Sequence, residues 1–312
     1  MQSFYAPGKI LLNGEYTVLV GFEGMALPVK CGQWLDSWIF NTPQNGTDTL
    51  YYQAIDESGN VWFKMNVSID ELLPSSDISI EDKPIADLFL KLLLMVSDDF
   101  FEKGKSIRLE TRLEFNRDSG LGSSSTFLVI MSQFFGLSAQ KLQTQLFGGS
   151  GYDVAISQVQ KPLIFWKNEQ GVNFRPWKLS QSLTQQWQIV FWGQKVNSRN
   201  SSAAVKESLD RISSDPAYKL QLEKILSLTR DAQDIPTLET SLEMMQMFLS
   251  QLLDLETPYQ ALSIKPVSQG LCKWLGAWGG DMLLVNNKIL QEYPAVFKNK
   301  IIVQWNDWVI PN

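Results

Sequence analysis

Residues 106–135 constrain the fold most. Ser106–Phe115 is a strand candidate, Asn116-Arg117-Asp118-Ser119-Gly120-Leu121-Gly122-Ser123-Ser124-Ser125 follows at once, and the apolar Thr126–Phe135 is long enough for a buried helix. The order is strand, Gly/Ser loop, helix. Phosphate groups are bound where successive backbone N–H groups converge free of obstructing side chains, at the positive end of a helix. Ser119, Gly120, Leu121, Gly122, Ser123, Ser124 and Ser125 supply that composition at that place. The glycines permit close backbone approach, and the serine hydroxyls can donate to phosphate or ligate Mg²⁺. A flexible loop with a serine helix cap is the alternative. It is not a Walker A loop, since no Gly-Lys-Ser/Thr follows.

Other classes are excluded by what the chain lacks. It has no histidine in 312 residues, which removes Ser-His-Asp hydrolases, His-ligated metals and histidine bases. Acid–base chemistry must then rest on Asp, Glu, Lys, Tyr or Cys. With 33 acidic against 27 basic residues and no block of Lys/Arg, nucleic acid and anionic membranes are disfavoured as partners. Cys31 and Cys272 stand far apart, suggesting neither a disulfide framework nor a zinc site, and a reducing cytoplasm fits. The start Met1–Lys9 does not resemble a secretory signal, and Ile85–Val96, the most apolar helix candidate, is too short for a bilayer and carries Asp87 and Lys91. A soluble, cytoplasmic protein is expected.

The first hundred residues are β-rich: Lys9–Leu12, Tyr16–Val20 and Trp34–Asn41 are strand candidates, and Leu50–Ile55 with Val61–Val67 forms an expected hairpin around Ser58-Gly59-Asn60. Ile85, Leu88, Phe89, Leu92, Leu93 and Val96 repeat at helical spacing. Later, Trp187–Trp192 is a strand candidate, and Ala203–Ile212, Lys219–Thr229 and Leu238–Leu253 are helices. Gly276–Val285 is a Gly-rich turn running into the strand Met282–Val285. Early strands and later helices predict an α+β fold with a boundary somewhere in residues 160–185.

Three further segments can carry chemistry. In Gly148-Gly149-Ser150-Gly151-Tyr152-Asp153-Val154-Ala155, Asp153 can accept a hydroxyl proton, or can simply form a turn or cap a helix. Lys9, in Ala6-Pro7-Gly8-Lys9-Ile10-Leu11-Leu12-Asn13-Gly14-Glu15-Tyr16, enters an apolar strand and either snorkels to solvent or stabilises transferring charge. The glycines of Lys273-Trp274-Leu275-Gly276-Ala277-Trp278-Gly279-Gly280-Asp281 form either a hairpin turn or a second wall of a phosphate site. Lys195–Ser202, with Lys195 and Arg199, is either an anion-binding turn or a solvated loop.

Together the ordered set PGKILLNGEY, SGLGSSS, GSGYDVA and LGAWGGD resembles the motifs of the GHMP kinases, over residues 6–285. Four motifs in order are far more specific than one. Gly14-Glu15-Tyr16 and Gly151-Tyr152-Asp153-Val154-Ala155 look most like the mevalonate and phosphomevalonate kinase branch, and especially a bacterial subgroup with a Gly-Tyr-Asp-Ile-Ala signature. The resemblance implies a two-domain α+β fold, with an N-terminal domain (1–170) like ribosomal protein S5 domain 2, a ferredoxin-like C-terminal domain (171–312) and the active site in the cleft between them. It implies ATP and Mg²⁺ as cofactors and a small anionic acceptor, mevalonate or phosphomevalonate. Ser119–Ser125 would bind the ATP phosphates, with Ser124 a Mg²⁺ ligand. Asp153 would be the acceptor-side carboxylate and Lys9 would lie near it, while Gly279 and Gly280 would close the phosphate pocket. Two departures stand out: Trp278 replaces a glycine of the last motif, and only Gln143 or Gln145 stands where some mevalonate kinases place a Mg²⁺-binding glutamate. They favour the alternative, a catalytically weak protein of this fold that binds a nucleotide or metabolite as sensor or scaffold.

Overall fold

The structure, a computed structural model, describes residues 1–74, 78–193, 206–276, 278 and 282–311. The loop 195–202, residues 203–205 of an expected helix, and Gly279 and Gly280 lie outside the described residues. The chain divides into two compact units. One comprises Met1–Gly8, Cys31–Arg117 and Ser123–Gln158, the other Lys9–Lys30, Asp118–Gly122 and Val159–Asn312. The strands β1 (Gln2–Asn13) and β2 (Gly24–Asn41) each supply residues to both.

In the first unit the strand order is β5 (Leu73–Pro74), β4 (Val61–Ser68), β3 (Thr49–Ile55), β6 (Lys105–Leu113), β2. The expected hairpin is there. At its turn Gly59 takes φ +86°, and the Asp56 carboxylate accepts the backbone N–H groups of Ser58 at 3.0 Å and Asn60 at 2.8 Å. β6 lies antiparallel to β2 but parallel to β3, and a parallel pair needs a crossover. Helix α1 (Lys83–Leu93) lies in that connection and buries Phe89, Leu92 and Leu93 of the stripe its periodicity predicts, together with Ala86, while Ile85 and Leu88 are half-buried. Leu50, Tyr52, Ala54, Phe63, Met65, Val67, Ile107 and Leu109 alternate toward the same core. Tyr52 stacks on Phe89 with centroids 4.4 Å apart. Helices α2 (Ser123–Phe135), α3 (Ala139–Leu146) and α4 (Tyr152–Val159) complete the cluster through Leu128, Val129, Leu142 and Val154.

In the second unit, β7 (Leu163–Asn168) and β8 (Gly171–Pro176) form a hairpin within the stretch where the sequence suggests only a boundary. Its two-residue turn, Glu169-Gln170, is set by the Asn168 side chain accepting the Gln170 N–H at 3.0 Å and by Gly171 at φ +117°. A second, fully antiparallel sheet runs β10 (Cys272–Leu275), β11 (Met282–Asn286), β9 (Trp187–Phe191), β12 (Ile301–Gln304). Helices α5 (Lys206–Ser214), α6 (Pro216–Asp231) and α7 (Ile235–Leu253) belong to this unit. The last two begin three residues before their apolar patterns, because Asp215 and Asp234 cap them and a proline sits in each first turn.

One expected strand is absent. Tyr16–Val20 is not extended; Thr17–Val20 is a single 3₁₀ turn. Gly14 at φ +92° and Tyr16 at φ +60° fold the chain back, and a Cβ on Gly14 would lie 2.6 Å from the Glu23 carbonyl oxygen. Such an approach admits only glycine.

Candidate functional site

Between β6 and α2 the backbone enters the left-handed region twice, at Gly120 (φ +76°) and Gly122 (φ +91°). The loop closes on Lys9. The Lys9 N–H donates to the Leu121 carbonyl at 2.9 Å and its Nζ donates to the Gly120 carbonyl at 3.1 Å. A Cβ on Gly122 would stand 3.2 and 3.3 Å from Cε and Cγ of Lys9. Lys9 is 7% exposed, so it does not snorkel out of its strand. A buried ammonium is tolerated only where its donors are met, which the loop carbonyl begins to do.

The serines divide by role. Ser123 Oγ donates to the Arg117 carbonyl at 3.2 Å and so braces the entry to α2. Ser125 is buried, and Ser124 is exposed at the start of the helix. Ser119 Oγ is shielded from solvent yet has no hydrogen-bond partner among the described residues. A buried hydroxyl in that condition costs roughly 1–3 kcal/mol, which a ligand acceptor would relieve.

Asp153 sits in the first turn of α4, behind a tight turn with Gly148, Gly149 and Gly151 at φ +70°, +83° and +83°. A carboxylate in that first turn is favoured by the helix dipole. Gln143, one of the two amides standing for a Mg²⁺-binding glutamate, donates its Nε2 to the Gly148 carbonyl at 2.6 Å and so helps set this turn, while Gln145 is exposed. Asp153 belongs to the first unit, and Lys9 with residues 118–122 to the second.

The sequence reading assigned no role to a buried ion pair in the second unit. Glu15 Oε1 pairs with Lys273 Nζ, both side chains being at most 3% exposed, and Nζ also donates to the Trp274 carbonyl at 3.1 Å. Burial raises the Glu15 carboxyl above its ordinary range, and the Lys273 charge opposes that rise. Next to it, Glu243 accepts the Tyr259 hydroxyl at 2.7 Å and the Cys272 N–H at 3.1 Å; burial raises its carboxyl too. Glu15 stands in the segment singled out for Lys9, and Lys273 in the one singled out for its glycines. The signal available was a lone acid and a lone base in otherwise apolar runs.

Trp278 is tethered on both sides. Its N–H donates to the Tyr16 hydroxyl at 3.2 Å, and its indole Nε1–H donates to the Glu256 carbonyl at 2.6 Å. The ring packs against the cluster of Val190, Tyr259, Trp274 and Leu283, so the indole is part of the packing of this unit.

Among the described residues, no group of three or more Asp, Glu or Cys is placed to hold a metal ion, and no helix is long and apolar enough to cross a membrane. No family model and no curated protein matches the sequence. Solved structures do match. The mevalonate kinase of Methanococcus jannaschii superposes with a TM-score of 0.66 at 14% identity, covering 100% of this chain and 98% of that one. The phosphomevalonate kinase of Streptococcus pneumoniae, in complex with phosphomevalonate and AMPPNP, does so with 0.63 at 15%, covering 97% and 100%. The galactokinase of Lactococcus lactis, complexed with galactose, gives 0.57 at 14%, covering 97% and 92%. These coverages and the two sheets define the class: the chain has the mixed α+β fold of the GHMP kinases. Within that class, its likeness extends to mevalonate, phosphomevalonate and sugar kinases alike.

Proposed function

We propose that this chain is an ATP-dependent small-molecule kinase, acting on a small anionic acceptor of the mevalonate or phosphomevalonate type. The observation that carries the reading is the loop 119–122, where two left-handed glycines frame the backbone and the Ser119 hydroxyl beside them is buried without a partner among the described residues. Such a loop suits an anion with several acceptor oxygens. Residues 119–125 would then hold the ATP phosphates, with Gly279 and Gly280 contributing to the same pocket. Phosphoryl transfer relies on positioning and charge stabilisation more than on covalent chemistry. In this reading Asp153 orients or deprotonates the acceptor hydroxyl, and Lys9 stabilises the negative charge that develops. Mg²⁺, when bound, would neutralise charge on the transferring phosphates. The exposed Ser124 hydroxyl fits that ion, since Mg²⁺ is commonly held by one or two side chains plus substrate oxygens. The division into domains at residue 170 and a cytoplasmic location belong to the same proposal.

The decisive experiment is a nucleotide-turnover screen against hydroxy acids, phosphorylated alcohols and sugars, with Mg²⁺ present and absent. Mg²⁺-dependent ADP release with one acceptor class is the expected result. A second reading has its own support: Gln143 spends its amide on the Gly148 carbonyl and Trp278 fills a glycine position. Tight nucleotide binding by calorimetry without turnover on any acceptor would favour that sensor or scaffold over the kinase.

A further inference from the structure

One face of the first unit's sheet looks away from the core and carries an unusual set of side chains. Cross-strand register places Trp38 opposite Arg108, Arg108 opposite Tyr51, and Tyr51 opposite Asn66. In the neighbouring register position Lys64 stands opposite Gln53. These residues line a groove of about 640 Å³, within the size range of small-molecule sites. Phe40 and Tyr51 stack at its edge, 6.2 Å apart and 23° from parallel, yet each remains about two-fifths exposed, at 41% and 40%. Stacked aromatic rings left open on a sheet face mark a surface that still has something to cover.

The charges on this face say what kind of ligand would cover it. Its acids are already engaged: Asp36 accepts Arg112 at 2.8 Å and Ser3 at 2.6 Å, while Glu110 accepts Gln53 and lies 4.0 Å from Arg112. The groove's two cations are not. Among the described residues neither Lys64 nor Arg108 has an ion-pair or hydrogen-bond partner. Both are exposed, and Arg108 lies between the rings of Trp38 and Tyr51 in the register.

We propose that this groove is a binding site for a planar aromatic anion, its ring system against Tyr51 and Trp38 and its acidic group on Arg108 and Lys64. Aromatic side chains supply the stacking surface, and a guanidinium with no acid on it among the described residues supplies fixed donors for a carboxylate, sulfonate or phosphate. The site shares no residue with residues 119–125, Lys9 or Asp153, so it is additional to the one proposed for the nucleotide.

The test is a fluorescence titration of the full chain with 8-anilinonaphthalene-1-sulfonate, beside its uncharged counterpart N-phenyl-1-naphthylamine. Saturable binding of the sulfonate is expected, weakened about tenfold or more by Arg108→Ala with Lys64→Ala, as for loss of a charge-assisted contact. Tyr51→Ala should weaken it as well, and the uncharged dye should bind less tightly and ignore the loss of the cations. All three positions are exposed, and circular dichroism would check that the variants keep the fold. Wild-type affinity for the sulfonate in both the double variant and Tyr51→Ala would overturn the proposal. So would sedimentation of the chain as a dimer that Arg108→Glu dissociates, because the face would then belong to a second copy.

Discussion

Single residues bear the sharpest constraints here. At Gly122, a left-handed φ strains any branched residue, and its Cβ would stand only 3.2 Å from the Lys9 side chain. We expect Gly122→Val to weaken ATP binding by roughly tenfold or more in calorimetry, while circular dichroism stays that of a folded chain. Unchanged affinity would remove the loop from the nucleotide site. The Glu15–Lys273 pair makes a second prediction. Removing one partner of a buried pair leaves an uncompensated charge, so Lys273→Met should cost about 3–5 kcal/mol and lower Tm, and adding Glu15→Gln should recover much of the loss. With Lys273 gone, only a backbone hydrogen bond still opposes the burial that raises the Glu15 carboxyl, and the folded chain binds that proton more tightly than the unfolded one. Its stabilising effect is then present at low pH and lost as pH rises through the folded pKa. The deficit of Lys273→Met should therefore be largest near about pH 8 and shrink toward about pH 5, read as Tm against pH. A deficit that grows on acidification would contradict the assignment.

Among the elements, α7 depends on a local signal at its start. Asp234 accepts the Thr237 N–H at 2.8 Å and its hydroxyl at 3.0 Å, and the backbone bond is the main cause that lowers the Asp234 carboxyl. A lowered folded pKa contributes stability above the unfolded pKa that is lost as pH falls through the folded one. Asp234→Ala should lower Tm by a few degrees at neutral pH and by less once both states are protonated, because a neutral carboxyl accepts more weakly. A difference that did not shrink in strong acid would mean that the carboxylate charge is not its source. The helix matters beyond itself, since Gln246 within it donates to the Cys272 carbonyl at 2.8 Å and accepts the Trp274 N–H at 2.9 Å, fixing β10 against it.

Turnover is a property of the whole molecule. Asp153→Asn and Lys9→Met keep shape and remove charge, so each should retain nucleotide affinity and lose about 10²–10⁴-fold in turnover, as for removal of a general base. Residues that act as one unit are not additive, and the double variant should be little slower than either single one. Multiplicative losses would separate their roles. Full activity in Asp153→Asn would take the carboxylate out of the mechanism and move the chemistry to other residues.

Local chemistry was enough to read much of this chain. The β3–β4 hairpin shows in Ser58-Gly59-Asn60, α1 in its apolar stripe, and the strand–loop–helix order in the glycines and serines at 119–125, because turn residues and periodicity act within a few neighbours. The 3₁₀ turn at Thr17–Val20 was hidden because its apolar run resembles a strand, and what excludes the strand is the approach of Gly14 to Glu23 and Gly24. Trp278 stood out as a departure from a motif, but the partners of its indole, the Glu256 carbonyl and the cluster around Trp274, are set by packing alone. The pairing of Glu15 with Lys273 was equally out of reach, for 258 positions separate them. The sequence by itself determined where the chain turns, caps and exposes glycine backbone. Only the tertiary structure decided which buried charges meet and which cations on the sheet face find no acid among the described residues, since both follow from burial and register between distant strands.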